Sequence, residues 1–386
     1  MSYALDQLLQ RYVDEGHVAG VTALVTRNLQ PIYRATFGHA DLEAGAPMRP
    51  DTLFRIFSMS KVVTAVAALQ LFERGLYRMD DPISKFLPCY HGQQVAQVTP
   101  SGSIDLVPAE RDVTFRDLFT MTSGIPYGGR NGYVPQLMDE IFADIGRKEG
   151  TPEAYSTRQV AEAIAQAPLC FQPGAHWMYG LSADILGALV EVLSGQTLGE
   201  YMQEHIFHPL GMVDTGFTLP PEKQGRLAQI YAAGPQGLAP YDAGGTGMSM
   251  MARFESGGGG LLSTADDYTR FCQMLVMGGT LDGHRVLGRK TVELMRRDHL
   301  TPEQRQTYDW ETQRGYSYGL LVRTLVDPAA AGSNGSVGEF GWDGMAGTYM
   351  CVDPEEQLTC VYLVQRVPGD HAVYLPPFRA AMYALL

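Results

Sequence analysis

Ser58-Met59-Ser60-Lys61, followed by the run at 62–72, is the stretch on which the interpretation of the whole chain depends. Residues 62–72 are almost entirely apolar, which predicts a helix that is buried on all sides. Ser58 and Lys61 are three residues apart, so they share one face at the start of that helix. A lysine that opens a buried helix is costly unless it has a partner or a task.

Two interpretations of this serine and lysine follow. In the first, Ser58 is a nucleophile, Lys61 is the base beside it, and the free N–H groups at the helix start stabilise an oxyanion. In the second, Ser58 is a helix N-cap and Lys61 is a surface lysine. The apolar run at 62–72 favours the first, because the lysine opens a dry segment.

The composition limits the possible partners and suggests a compartment. The chain has 386 residues, enough for two or three domains, and a net charge of −13 without a basic block. Nucleic acid and anionic membranes are therefore poor partners, and no run approaches the roughly 20 apolar residues that span a bilayer. Five scattered cysteines without a C-x-x-C pair, and an N-terminus without an apolar signal region, predict reduced thiols and a cytoplasmic protein.

Strand patterns occur near both ends of the chain, with helices between them. Hairpins are predicted at 18–26 with 32–38 and at 347–352 with 358–365, and a single strand is predicted at 318–326. Helical patterns and cap signals predict helices at 3–15, 114–122, 134–147, 157–167, 182–194, 197–207, 263–277 and 376–386. Residues 89–112 are predicted to form an exposed excursion. Met248, Met250 and Met251 lie close together, a pattern that usually fills a core and less often lines a pocket.

This order of elements predicts an α+β fold in which both termini contribute to one antiparallel sheet, with helices packed on its faces. The predicted division is a sheet domain formed by residues 1–79 and 256–386, and an inserted, mainly helical domain at 80–255.

A second serine and a pair of histidines are the competing candidate sites in the sequence. Gly315-Tyr316-Ser317-Tyr318-Gly319 matches G-x-S-x-G, which needs a strand before the serine and a helix after it. Here a polar stretch precedes Ser317 and a strand pattern follows it, so the start of a strand is the preferred interpretation. His205 and His208 lack a third ligand nearby in sequence, and no metal or cofactor is predicted.

Three motifs taken together resemble those of one enzyme family. Residues 57–61 resemble its S-x-x-K helix, residues 118–125 its LLTHTSGL segment, and residues 173–181 its PG…W.YS segment. With similar stretches at 207–215 and 257–263, the likeness runs from about residue 5 to 385 in the same motif order. On these motifs the chain resembles the β-lactamase-like carboxylesterases of family VIII, which are related to class C β-lactamases and D-alanyl-D-alanine carboxypeptidases. The resemblance implies the fold of β-lactamases and penicillin-binding proteins.

The resemblance also implies roles for individual residues. Ser58 would be the nucleophile, Lys61 its activating partner, and Tyr179 a second base and proton shuttle. The ammonium of Lys61 would lower the pKa of Tyr179, and which of the two takes the serine proton stays open. The implied oxyanion donors are the N–H groups of Ser58 and Met345, and the implied substrate-binding residues are Trp342, Gly344, Tyr127 and Trp177. A buried aromatic for Tyr179 and an ordinary edge-strand residue for Met345 are the alternatives.

Two departures from the family pattern bear on the substrate. Leu181 replaces the asparagine of Y-x-N, and Trp342-Asp343-Gly344 replaces K-T-G, so the lysine that would contact a β-lactam carboxylate is absent. Asp343 faces either the pocket or solvent. The expected function is hydrolysis of short-acyl, neutral esters through an acyl-serine, with a small-molecule ester as partner. The alternatives are an acyltransferase, a weak β-lactamase or D-amino-acid peptidase, and a non-catalytic binding protein of the same fold.

Overall fold

The computed structural model describes residues 2–241, 250–251 and 253–386. Its α-helices are Ser2–Asp14 (α1), Ser60–Glu73 (α2), Phe115–Phe119 (α3), Tyr133–Lys148 (α4), Thr157–Ile164 (α5), Ser182–Ser194 (α6), Leu198–Met202 (α7), His208–Leu210 (α8), Ala265–Val276 (α9), Arg289–Met295 (α10), Pro302–Arg305 (α11), Pro328–Ala331 (α12) and His371–Tyr383 (α13). None of the helices among these residues combines the length and the hydropathy that crossing a bilayer requires.

The strands form one large sheet and several small ones. They are Gly20–Arg27 (β1), Gln30–Asp41 (β2), Ala46–Pro47 (β3), Phe54–Arg55 (β4), Gln94–Val98 (β5), Ile104–Pro108 (β6), Tyr231–Gly234 (β7), Gly237–Pro240 (β8), Leu262–Ser263 (β9), Thr280–Leu281 (β10), His284–Arg285 (β11), Tyr316–Tyr318 (β12), Arg323–Leu325 (β13), Phe340–Asp343 (β14), Tyr349–Asp353 (β15), Leu358–Leu363 (β16) and Arg366–Val367 (β17). The large sheet is antiparallel and has eight strands in the order β12-β13-β14-β15-β16-β1-β2-β3. Both ends of the chain meet where β1 pairs with β16.

Helices cover both faces of this sheet because alternate residues of each strand point to opposite sides. On one side α1 and α13 pack against Val21, Ala23 and Val25 of β1. On the other side Leu24 of β1 belongs to the main core, which also includes α2, α6 and α9. Helix α2 is buried around its whole circumference, as its apolar sequence predicts. The predicted α+β sheet built from both termini is therefore confirmed.

Several element boundaries differ from the predictions. The predicted strand at 318–326 is a hairpin of β12 and β13, because Gly319 N–H bonds to Val322 O and Leu321 takes a left-handed conformation (φ 58°). The closing helix starts at His371 rather than residue 376, because Tyr374 N–H already bonds to Asp370 O.

Other differences lie in the region predicted as an insertion. The excursion at 89–112 contains the hairpin β5–β6, which hydrogen-bonds to Leu169. The helix predicted at 197–207 is α-helical only in α7 and continues as a π-helical turn, Gln203–Phe207. Of the methionine cluster, Met248 lies outside the described residues and Met250 is exposed. The division at residues 80 and 255 stays a prediction.

Candidate active site

Ser58 is held at the entry to α2 by an unusual backbone. It lies in a short 3₁₀ turn, Phe57–Met59, that leads directly into α2. Phe57 has a φ of 45°, which is rare for a bulky residue and is a form of local strain that clusters at functional sites. Phe57 is held there by packing with Ile230 and Ala346. The serine hydroxyl is thereby presented at the N-terminal end of a buried helix.

Lys61 is completely buried and faces Ser58. Its Nζ donates to Ser58 Oγ at 2.9 Å, to Tyr127 Oη at 2.8 Å and to the Gly258 carbonyl at 2.5 Å. The alternative that Lys61 is a surface lysine is therefore wrong. Burial lowers the pKa of Lys61 to about 7, although the carboxylates of Asp184 and Asp343 act in the opposite direction. A substantial fraction of Lys61 is consequently a neutral amine near pH 7, able to accept a proton.

Tyr179 lies beside this pair, in contact with Trp342. The indole N–H of Trp342 donates to Tyr179 Oη at 2.9 Å, and Lys61 Nζ lies 4.9 Å from the centre of the tyrosine ring. The expected lowering of the Tyr179 pKa is wrong, because burial raises it and outweighs the hydrogen bonds from Ser58 and Trp342. Tyr179 is therefore a phenol that can donate a proton, rather than a standing phenolate.

Tyr127, expected to bind substrate, contacts the proposed base directly. Its hydroxyl is the acceptor for Lys61 Nζ, and its ring centre lies 5.5 Å from that of Tyr179. Burial raises the pKa of Tyr127 well above its usual value, while a hydrogen bond with Ser58 acts against this effect. Two neutral phenols thus flank Ser58 and Lys61, whereas the resemblance implies a proton-transfer role for Tyr179 alone and substrate binding for Tyr127.

The turn between β14 and β15 packs against Ile56, the residue that precedes the 3₁₀ turn of Ser58. Gly344 N–H donates to Thr348 O at 2.8 Å, and a Cβ on Gly344 would lie only 2.5 Å from the Ile56 carbonyl. Met345 is 43% exposed, and its N–H has no hydrogen-bond acceptor within the described part of the chain. This placement suits an oxyanion donor, and the assignment of Met345 to that role stays a prediction.

All three tryptophans of the chain surround Tyr179. Trp177 is buried and stacks against Tyr179 with ring centres 6.2 Å apart, so it supports the tyrosine from behind. Trp310 packs edge-on against both rings at 5.1 Å and is 38% exposed. The motifs did not indicate Trp310, which lies in a polar stretch; the only available signal was that tryptophan is rare in this chain.

Two charged groups next to Trp342 form a closed pair. Arg323 is buried on β13 and donates to Asp343 Oδ2 at 2.9 Å. Its guanidinium carbon lies 5.9 Å from the ring centre of Trp342. The open question of which way Asp343 faces is thereby answered: its charge is directed to Arg323, and this cation is not free to receive a substrate carboxylate.

Ser317 has none of the features of a nucleophile elbow. It is fully buried in β12, and its hydroxyl donates to Asp298 Oδ1. The strand is followed by a turn and by β13 rather than by a helix. The interpretation of Ser317 as the start of a strand, in preference to a second catalytic serine, agrees with this placement.

Comparisons with known proteins cover nearly the whole chain. A family model described as Beta-lactamase matches residues 5–383. Protein Rv1367c of Mycobacterium tuberculosis is 34% identical over 93% of this chain and 89% of its own length. Esterase EstB of Burkholderia gladioli is 31% identical over 98% of this chain and 94% of its own length. The solved structure of EstCE1, titled a hydrolase with promiscuous acyltransferase activity, is 25% identical, with a TM-score of 0.82 over 99% of this chain and 98% of EstCE1.

Proposed function

The chain belongs to the beta-lactamase family and is similar to its family VIII esterases, and we propose a reaction from this premise. The proposed reaction is hydrolysis of short-acyl, neutral carboxylic esters through an acyl-Ser58 intermediate. The observation that carries the proposal is the contact of 2.9 Å between Ser58 Oγ and the buried amine of Lys61, whose pKa is lowered to about 7. A hydroxyl next to a neutral amine is an activated nucleophile.

In the first half of the proposed reaction, the neutral amine of Lys61 accepts the hydroxyl proton of Ser58 as Oγ attacks the ester carbonyl carbon. The N–H groups of Ser58 and Met345 would stabilise the resulting oxyanion. When the intermediate collapses, the bond to the alcohol oxygen breaks and a proton passes to the departing alkoxide. Tyr179 is the proposed donor of that proton, and the proton that Lys61 took from Ser58 would then return to the Tyr179 phenolate, which leaves both groups neutral.

In the second half, water replaces the alcohol. Its proton passes to the same base, its oxygen attacks the acyl carbon, and Ser58 Oγ leaves and is reprotonated. Base, phenols and serine exchange protons as one unit, so the observed titrations belong to the cluster rather than to a single residue.

We expect simple esters to be cleaved far faster than penicillins or cephalosporins. A β-lactam antibiotic brings a carboxylate, whereas the position of the K-T-G lysine holds Trp342, whose buried indole donates to Tyr179, and the nearby Arg323 is already paired with Asp343. A hydrogen bond between charged groups is worth roughly 1.5–3 kcal/mol, so the missing lysine removes about one to two orders of magnitude in rate. Neutral esters make no such demand.

The measurement is kcat/KM for p-nitrophenyl butyrate against nitrocefin, with one enzyme preparation. If nitrocefin matched or exceeded the ester, the charge argument would be wrong, and a variant lacking Arg323 would then show whether that cation contributes the missing contact.

A pH profile tests the role of Lys61. Because burial lowers its pKa to about 7, Lys61 is protonated and inactive as a base below that pH and becomes available above it. We therefore expect kcat/KM to fall about tenfold per pH unit on the acid side of pH 7 and to level off above it. An acid limb near pH 10 would mean that Lys61 keeps its ordinary pKa, and a flat profile from pH 5 to 9 would place the base elsewhere.

Acyl transfer to an alcohol is a second candidate function. It is favoured by the likeness to EstCE1, which is described as a hydrolase with promiscuous acyltransferase activity. The acyl-Ser58 intermediate would be the same, and the acceptor would be an alcohol in place of water. Product analysis with an ester and excess methanol separates the two: transfer yields the methyl ester, and hydrolysis yields the free acid.

A non-catalytic binding protein is the rival from another class. The buried contact between Ser58 and Lys61, flanked by two phenols, argues against it because a binding scaffold has no need for a neutral buried lysine. A fluorophosphonate label followed by intact mass would separate them: a single stable adduct on Ser58 supports the enzyme, and its absence supports the scaffold.

A cytoplasmic location remains a proposal from the five unpaired cysteines.

A further inference from the structure

Asp184 is a buried carboxylate that the proposed reaction does not use. It lies in the first turn of α6 and is 1% exposed. Its Oδ1 accepts hydrogen bonds from Ser256 Oγ at 2.6 Å and from Gly258 N–H at 3.0 Å. Its Oδ2 has no hydrogen-bond partner among the described residues. A buried carboxylate with an unpaired oxygen is costly, which calls for a function beyond packing.

Gly258 connects this carboxylate to the proposed base. Its N–H is held by Asp184, and its carbonyl accepts the shortest of the three hydrogen bonds from Lys61 Nζ. The neighbouring carbonyl of Gly257 accepts from Thr64 Oγ1 of α2 at 2.8 Å. The backbone is therefore clamped between two helices, and a Cβ on Gly258 would lie 2.4 Å from Asp184 Oδ2.

The Gly258 carbonyl controls how a neutral Lys61 can react. A neutral amine has two N–H bonds and one lone pair, and a carbonyl can only accept. One N–H is thus committed to Gly258, and the rest of the amine is turned toward the hydroxyls of Ser58 and Tyr127, either of which can donate. The position of Gly258 therefore decides whether the lone pair meets the serine proton.

We propose that Asp184 is a positioning residue for catalysis: by holding Ser256 and Gly258 it keeps the Gly258 carbonyl on Lys61 and so directs the amine at Ser58. This inference rests on the proposed function, because it assigns Lys61 as the base. It also accounts for glycine at position 258, where a side chain would collide with the carboxylate.

The charge of Asp184 has a separate, measurable effect. The titratable groups that face Lys61 are Tyr127, Tyr179, Asp184 of α6 and Asp343 of β14. The two carboxylates each raise the pKa of Lys61 against the larger effect of burial, and Asp343 is in addition paired with Arg323. Burial raises the pKa of Asp184 itself, and the ionised form is the one that acts on Lys61; removing its charge should therefore lower the pKa of Lys61 further.

The test variant is Asp184→Asn, which keeps the size and an acceptor oxygen but removes the charge. We expect kcat/KM for p-nitrophenyl butyrate to fall about 10- to 100-fold at pH 8. The neutral amide oxygen holds the Ser256 hydroxyl and the Gly258 N–H more weakly than the carboxylate does. The amide NH2 takes the place of Oδ2, which has no hydrogen-bond partner in the part of the chain that the structure describes, so the Gly258 carbonyl is held less firmly on the amine. The acid limb of the pH profile should move to lower pH. The rate of fluorophosphonate labelling of Ser58 should fall by a similar factor, and the acid limb of its own pH profile should also move to lower pH.

Asp267→Asn is the matched control. Asp267 is also buried, and it accepts one backbone N–H, from Asp214 at 2.7 Å, and one hydroxyl, from Thr215 at 2.9 Å. It lies on α9 and does not contact Lys61. We expect this variant to lower the melting temperature while leaving the labelling rate per folded molecule and the acid limb unchanged.

The inference is overturned if Asp184→Asn behaves like Asp267→Asn, with lower stability but an unchanged acid limb and labelling rate. If Asp184→Asn does not fold, Ser256→Ala replaces it, because this variant removes one of the two hydrogen bonds to Asp184 but keeps the charge. Labelling of Ser58 should then slow severalfold, while the acid limb of the pH profile stays where it is. An unchanged labelling rate overturns the inference. If the wild type labels at Ser58 but cleaves no ester, the proposed function fails, while the labelling comparison still decides the role of Asp184.

Discussion

Ser58→Ala should abolish ester cleavage, with a loss of at least about four orders of magnitude in kcat. The hydroxyl lies 2.9 Å from the amine of Lys61 at the start of a buried helix, and no other described hydroxyl combines such a base with a helix N-terminus. Removing one oxygen leaves the oxyanion donors and the phenols in place but leaves nothing to acylate. Steady-state turnover of p-nitrophenyl butyrate and intact mass after fluorophosphonate treatment would both report the loss.

Ser317→Ala is the matched control, since Ser317 is the serine of the competing G-x-S-x-G pattern. It loses its hydrogen bond to Asp298, so a modest loss of stability of about 1 kcal/mol is expected, with turnover per folded molecule retained. The opposite pattern, in which Ser58→Ala is active and Ser317→Ala is not, would transfer the nucleophile to Ser317 and refute the assignment of Ser58.

The buried helix and the sheet could be predicted because they depend on local patterns. The apolar run at 62–72 is buried on every side, and the hairpins at the two ends carry the alternation that places one face on a core. The hairpin of β12 and β13 was missed, because its turn places Leu321, a residue with no preference for a left-handed conformation, at a φ of 58°. Tertiary contacts override local preference there.

The site was predictable only where a motif carries it. Ser58, Lys61 and Tyr179 lie in recognisable stretches, and the structure brings them together. Asp184 and Trp310 lie in no motif and reach the site through long-range contacts, Asp184 by way of Gly258 and Trp310 by packing directly against Tyr179 and Trp177. The direction of the tyrosine pKa was wrong for a related reason: it depends on how completely the fold removes water from the phenol, which spacing along the chain does not encode.

Lys61→Met and Tyr179→Phe should each reduce turnover by several orders of magnitude, because base and proton donor act as one unit with the nucleophile. Methionine matches the length of the lysine stem without its amine, so Lys61→Met tests the base with little change in packing. The variant leaves the Gly258 carbonyl without its donor and Asp184 without its nearby cation, so we also expect a lower melting temperature. Turnover per folded molecule, measured well below that temperature, separates loss of the base from loss by unfolding.

The matched control for the lysine is Lys148→Met, because Lys148 Nζ also contacts a tyrosine hydroxyl, that of Tyr155, at 3.0 Å, but on the surface helix α4. Its turnover should equal that of the wild type.

Tyr127→Phe is compared with Tyr179→Phe, since both phenols flank the serine and the lysine. If Tyr179→Phe stays within about tenfold of the wild type, Tyr179 is a packing residue, and a large loss in Tyr127→Phe would then assign proton donation to Tyr127. If both variants lose activity but only Tyr127→Phe displaces the acid limb of the pH profile, Tyr127 sets the protonation of Lys61 and Tyr179 protonates the leaving alkoxide.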